Sequence, residues 1–228
     1  MTFKKKIVLI VVAHTDDESF GCGGLIKKLS SEGHKIYAIS FTNGVGSRKN
    51  SKKNDIKRRK IAAEKASKIL GFKWFDEFNF PDNELETISL LTLVKKIEIV
   101  KKKLKPKIVI THNYSDLNID HKKIFEATIT AFRPEPKKNV EKILTFEVAS
   151  STDYRMLKRE KNFIPNFFVN IEKFLKFKIR AIKSYKNEFR KSPHSRSIEG
   201  IKNLSKIRGN QSGMKNAEAF EIIREIVK

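Results

Sequence analysis

After a short basic start, the chain runs through Ile7 to Ala13, a continuous apolar and β-branched stretch. Such a run predicts a strand buried on both faces, as in parallel sheets. Apolar positions then fall at helical spacing over 20–31 (Leu25, Ile26, Leu29), and Gly33 closes that helix. Residues 35–41 read as a second strand. A Gly-containing loop from Thr42 to Gly46 follows, and then a polar, mobile loop from Gly46 to Lys53. The pattern continues with a helix over 55–70 closed by Gly71, a strand from Trp74 to Phe80, and a turn at Pro81-Asp82-Asn83. A helix over 87–104 carries Leu90, Leu93, Val94, Ile97 and Val100 on one face and stops at Pro106. Strands are expected at 107–111, 142–148 and 167–171, with a helix over 121–132 between the first two. Beyond residue 171 the chain reads as helical and very basic, with a loop around Ser192 to Ser197.

Strands alternating with helices imply βαβ units. The expected fold class is therefore α/β: a Rossmann-like three-layer fold with a mostly parallel sheet and helices on both faces. No repeat or linker divides the pattern, so residues 1–228 are read as one domain. In such sheets ligands bind beyond the carboxyl ends of the strands. The segments after 7–13, 35–41 and 107–111 are therefore where chemistry is expected.

Composition narrows the classes. The 228 residues suffice for a real core, and 39% hydrophobic content excludes a disordered basic tail. The single cysteine, Cys22, excludes an internal disulfide and a cysteine-based zinc site. Ile7 to Ala13 is the longest apolar run and falls far short of the roughly 20 residues of a spanning helix. It runs straight into His14 and a row of acids, unlike a signal peptide, so the chain is expected to be cytoplasmic. The formal net charge of +23 raises nucleic acid as a partner. The excess is mostly lysine and is spread along the whole chain, which fits a solvated basic surface better.

Two constellations carry chemistry. His14-Thr15-Asp16-Asp17-Glu18 follows the first strand and opens a helix. Helix capping accounts for one or two of these acids. It does not account for a His and three consecutive acids, which repel unless a cation or donor satisfies them. The second is Thr111 to His121, after the fourth strand. Its Asp116, Asn118 and Asp120 mimic the start of a calcium loop, but His121 and Ala127 stand where that loop needs Gly and Glu. Two His and two Asp in ten residues at the ligand edge favour ligation. Together the segments give three metal ligands, His14, Asp17 and His121. Asp16 is left beside the metal to take a proton from water and pass it to a leaving group. Asp120 or Asp116 would brace His121. The acids from Asp16 to Glu18, with Asp116 and Asp120, are expected to converge on one cation.

At these residues the chain resembles the PIG-L/LmbE-type N-deacetylase family. Ala13 to Gly24 resembles its A-H-P-D-D-E signature with a Gly-rich helix start, and Asp116 to His121 resembles its distal motif ending in D-H. Arg59 through Gly71 and Phe80-Pro81-Asp82-Asn83 resemble two further blocks. Pro165-Asn166-Phe167, Pro193 to Ser197 and Ala217 to Phe220 resemble the C-terminal blocks of the bacterial branch tied to surface-glycan synthesis. The resemblance implies Zn2+, or another divalent metal, on His14, Asp17 and His121, with Asp16 as general base and then acid. It implies removal of acetyl from an N-acetylated amino sugar, free or linked to a nucleotide or lipid. Two departures stand out. Thr15 replaces the motif's Pro. Asn118 replaces the first His of an H-x-x-H motif, so the oxyanion would fall to Asn118, with His112 or His194 supplying the missing imidazole. Arg59 and Asp82 are expected to contact sugar hydroxyls or a phosphate, with His112 and Asp116 on the substrate side of the same edge. Two other readings remain: a basic protein contacting nucleic acid or an anionic surface, and a zinc esterase or amidase with a non-sugar substrate. The oligomeric state is left open.

Overall fold

The structure is a computed structural model that describes residues 5–47, 53–136, 140–155 and 162–227. Seven strands form one sheet in the order β3-β2-β1-β4-β5-β7-β6. The strands are β1 Ile7–Val12, β2 Lys35–Thr42, β3 Lys73–Phe80, β4 Ile108–His112, β5 Lys142–Phe146, β6 Phe167–Asn170 and β7 Ala217–Glu225. The first five are mutually parallel, while β7 runs antiparallel to both β5 and β6. The helices are α1 Asp17–Ser31, α2 Lys53–Leu70, α3 Leu90–Leu104, α4 Ile119–Ala131, α5 Leu175–Ser184 and α6 Ile198–Asn210. One apolar core joins α1, α2 and α5 to one face of the sheet, and a second joins α3 and α4 to the other. This is the three-layer arrangement that the buried β1 run requires. Among the described residues, no helix is long and apolar enough to cross a membrane.

The connectivity fixes where a site can form. From β1 the chain winds outward through β2 and β3, then returns to place β4 on the other side of β1. The crevice between the carboxyl ends of β1 and β4 is the switch point of such a sheet.

The glycines that open α1 serve packing. A Cβ at Gly21 would drive into the Phe146 ring, and one at Gly24 would lie 2.6 Å from Ile171 Cγ2. The lack of a Cβ there lets α1 lie close against β5 and the residue that follows β6. The helix kinks at Cys22 (φ −134°), and Glu218 of β7 accepts hydrogen bonds from Gly24 N (2.8 Å) and Leu25 N (2.7 Å) just beyond.

Two expectations are corrected. The chain after 171 is not helical throughout, because Ala217 to Glu225 is a strand inserted between β5 and β6. Ala and Glu are strong helix formers, and ladder pairing on both sides overrides that local preference. Helix α1 begins at Asp17, three residues before the apolar periodicity starts, because its first turn is built from polar site residues. The polar loop expected from Gly46 to Lys53 lies mostly outside the described residues.

Candidate active site

His14 leaves β1 two residues after its last strand position, and His121 sits in the first turn of α4. His14 Nδ1, Asp17 Oδ2 and His121 Nε2 lie 3.1, 3.2 and 3.3 Å from one another. All three residues are buried. The other nitrogen of each imidazole faces a carboxylate. His14 Nε2 is 3.1 Å from Asp120 Oδ2 and 3.3 Å from Asp82 Oδ1, and His121 Nδ1 is 3.0 Å from Asp116 Oδ2. Those carboxylates draw the imidazole protons outward and leave lone pairs pointing inward. Three inward electron pairs repel unless a cation joins them. Bonds of zinc length would separate tetrahedral donors by about 3.3 Å, close to the spacing observed. The donor set therefore fits a divalent metal, and its two imidazoles suit a transition metal better than calcium or magnesium.

The charges agree. Burial opposes a proton on His121, but Asp17 and Asp116 outweigh it and lift the group to about 9. Burial likewise opposes charge on His14, and Asp17, Asp120 and Asp82 raise it well above the usual imidazole range. Burial alone would raise Asp17, yet His121, His14 and His112 hold it well below the carboxylate range. The carboxylates around His14 and His121 thus favour positive charge at this place.

Several expected roles change. The acids do not share one group of donors: Asp17 stands with His14 and His121, while Asp120 stands with His14 and Asp82, and Asp116 with His112 and His121. Asp120 braces His14, not His121, and is itself fixed by the backbone N–H of Asn83 (2.8 Å) and Leu85 (3.1 Å). Asp116 lies behind His121, where it accepts from Ser151 Oγ, Thr152 Oγ1 (2.9 Å) and Asn118 N (3.0 Å). It is fully buried against His121 and does not line the cleft that opens onto His14, so it is not open to a substrate. His112 is also fully buried, stacked on His121 with centroids 3.9 Å apart. Its Nε2 accepts from Ala13 N (2.9 Å), and burial with the neighbouring His121 charge lowers it to about 4. It sits behind His121 and does not line that cleft. Glu18 turns away as well. Its Oε1 accepts from Ser19 Oγ (2.7 Å) and the Tyr185 hydroxyl (2.9 Å), its Oε2 accepts from Asp16 N (2.9 Å), and burial pushes it up to about 7.

Asp16 occupies the N-cap position of α1, yet its side chain makes no capping bond. The carboxylate instead meets Arg59 (2.7 Å) and Arg196 (3.3 Å). Burial raises Asp16 above its usual value, and the two arginines pull against that. Arg59 is buried too, and its Nε donates to Thr15 Oγ1 (3.0 Å). The residue that replaces the motif's Pro thus supplies an acceptor. Asp82 is tied down by Thr42 Oγ1 (3.2 Å) and by Ser47 N (3.1 Å) and Oγ (2.7 Å).

A cleft of about 440 Å³ opens onto His14, Asp16, Asp17 and His121. Asn118 borders it with its oxygen spent on capping α4, accepting from Asp120 N (2.8 Å), while its Nδ2 donates to Asn83 Oδ1 (3.1 Å). His194 is not among the described residues that line the cleft. Its Nδ1 accepts from Arg196 N (3.0 Å), and its ring packs edge-on against Tyr154. Two residues further on, Arg196 does line the cleft, as do Glu188 and Arg190. These three escape a motif-based reading. A signal for Glu188 does exist, since it is the lone acid between Lys173 and Ile198.

Comparison with known proteins identifies relatives of the chain. The family model described as PIG-L, GlcNAc-PI de-N-acetylase, matches residues 9–132, more than half of the chain. The chain is 28% identical over 190 residues to the uncharacterized deacetylase YaiS of Escherichia coli (strain K12), covering 81% of this chain and 92% of that protein. It is 26% identical over 229 residues to the diacetylchitobiose deacetylase of Thermococcus kodakarensis, covering 96% and 83%. The crystal structure of the conserved protein TT1542 from Thermus thermophilus superposes with a TM-score of 0.78 at 22% identity, covering 97% and 96%, and shares the fold. With both signature segments inside the matched region and brought together at one sheet edge, the chain belongs to the PIG-L family of de-N-acetylases.

Proposed function

We propose that the protein is a zinc-dependent hydrolase that removes the acetyl group from an N-acetylated amino sugar. The observation that carries this reading is the convergence of His14 Nδ1, Asp17 Oδ2 and His121 Nε2 beside an Asp16 carboxylate that serves neither helix cap nor ligand set. The diacetylchitobiose deacetylase relative supports a sugar amide as substrate. Arg190, exposed at the cleft and without a carboxylate partner among the described residues, supports an acidic substituent on that sugar. Glu188 and Arg196, from the basic C-terminal part, border the same cleft as His14, which supports reading residues 1–228 as one domain.

A bound zinc ion would supply Lewis acidity to the acetyl carbonyl and to the attacking water. Asp16 takes a proton from that water and returns it to the departing amine. The Asn118 amide has two N–H groups, of which Asn83 takes one, and the second donates to the developing oxyanion. Asp120 and Asp116 hold the imidazoles in the tautomer that points a lone pair inward.

The test is acetate release from a panel of N-acetyl amino sugars by chelator-treated protein, before and after zinc is restored. Activity that returns with one zinc per chain supports the reading. Full activity in the metal-free protein contradicts it.

A further inference from the structure

Four charged side chains close a ring of alternating sign on the cleft wall. Arg59 reaches Asp16 (Nη2 to Oδ1, 2.7 Å) and Glu188 (Nη1 to Oε1, 2.5 Å). Arg196 reaches the same two carboxylates, Asp16 Oδ2 at 3.3 Å and Glu188 Oε2 at 3.7 Å. The four come from separate places: the N-cap of α1, α2, the segment after α5 and the turn before α6. Their side chains are between 2% and 18% exposed. Charges this buried destabilise a fold unless they are paired, and here each is paired twice.

Resting on the reading of Asp16 as the group that moves the proton, we propose that Arg196, held by Glu188, is a positioning residue for Asp16. The Asp16 side chain makes no helix-capping bond to fix it. A grip by Arg59 on Oδ1 alone leaves the carboxylate free to turn about its Cβ–Cγ bond. Arg196 takes Oδ2, and two points of contact from opposite directions fix the plane of the group. Arg196 is itself located by the Phe20 ring, 4.3 Å below its guanidinium, and its carbonyl accepts from Arg190 N (3.3 Å). Arg196 is also the looser of the two grips, so it sets how well the carboxylate plane is held. Small errors in the placement of a reacting group are costly in rate.

The experiment uses the zinc-loaded full chain and its R196A, R196K and E188Q variants. A positioning role predicts that R196A loses about 10- to 100-fold in kcat with KM little changed and zinc content intact. R196K and E188Q fall between R196A and the parent, and added guanidinium ion restores part of the R196A loss. In a D16N background R196A costs nothing further, because the residue acts through Asp16. An R196A variant with full activity, one that raises KM at unchanged kcat, or one that costs the same factor in the D16N background overturns the proposal. Should R196A misfold, R196K and E188Q carry the same comparison. Full activity in D16N itself would remove the underlying reading, an outcome distinct from a defective D16N beside a fully active R196A.

Discussion

Asp120 Oδ2 lies 3.1 Å from His14 Nε2, joining the first turn of α4 to the residue two positions beyond β1. The contact fixes which nitrogen of His14 faces the three-donor group. Replacing Asp120 with Asn keeps the shape but weakens the acceptor. Zinc affinity is expected to fall about 10- to 100-fold, measured by competition with a chromophoric chelator. Asp116→Asn is expected to do the same through His121. Unchanged affinity in both would mean that the outer carboxylates do not orient the ligands.

The buried pair Lys178 and Glu218 lies 2.6 Å apart beneath α1, where Glu218 also accepts the two N–H groups freed by the kink at Cys22. Glu218→Ala would leave Lys178 charged and alone in the core. A loss of about 3–5 kcal/mol is expected, read from urea unfolding, with zinc stoichiometry unchanged in the folded fraction. Parent-like stability would show that the pair contributes little.

Gly21 faces the Phe146 ring so closely that a methyl group has no room. Gly21→Ala should cost about 1–3 kcal/mol through overpacking, visible as a lower denaturation midpoint. A variant as stable as the parent would indicate that α1 can move off β5 freely.

Much of this was legible in the sequence, and the failures have physical causes. The β1 run and the α3 face declare themselves because burial on both faces, or along one stripe, leaves no alternative pattern. That His14, Asp17 and His121 would meet at one place was readable because three acids in a row need a counter-charge. What could not be read were relations set by tertiary approach. Asp120 and His121 are neighbours in the chain, yet the helix turns them apart, so that Asp120 reaches His14 across 106 positions. The Ala217 to Glu225 segment carries helix-forming residues, and only the gap between β5 and β6 makes it a strand. His194 drew attention as an imidazole, while the side chain of that segment that lines the cleft is Arg196, two residues on.

Arg190 offers a way to read the substrate. Its guanidinium stands exposed at the cleft, where Nη1 donates to Asn187 O (2.6 Å). Arg190→Ala is expected to raise KM about 10-fold for an N-acetyl sugar bearing a carboxylate or phosphate, the loss of one hydrogen bond between charged groups. KM for the neutral sugar should not change. An equal change in both would assign Arg190 to general architecture.

The most direct measurement concerns Asp16. An Asp16→Asn variant should bind one zinc per chain with parent-like affinity, because Asp16 faces Arg59 and Arg196 and stands outside the group of His14, Asp17 and His121. Its rate of acetate release should fall about 10²- to 10⁴-fold, as expected for loss of a general base. Zinc-loaded Asp16→Asn protein that deacetylates at the parent rate would contradict the account at its centre.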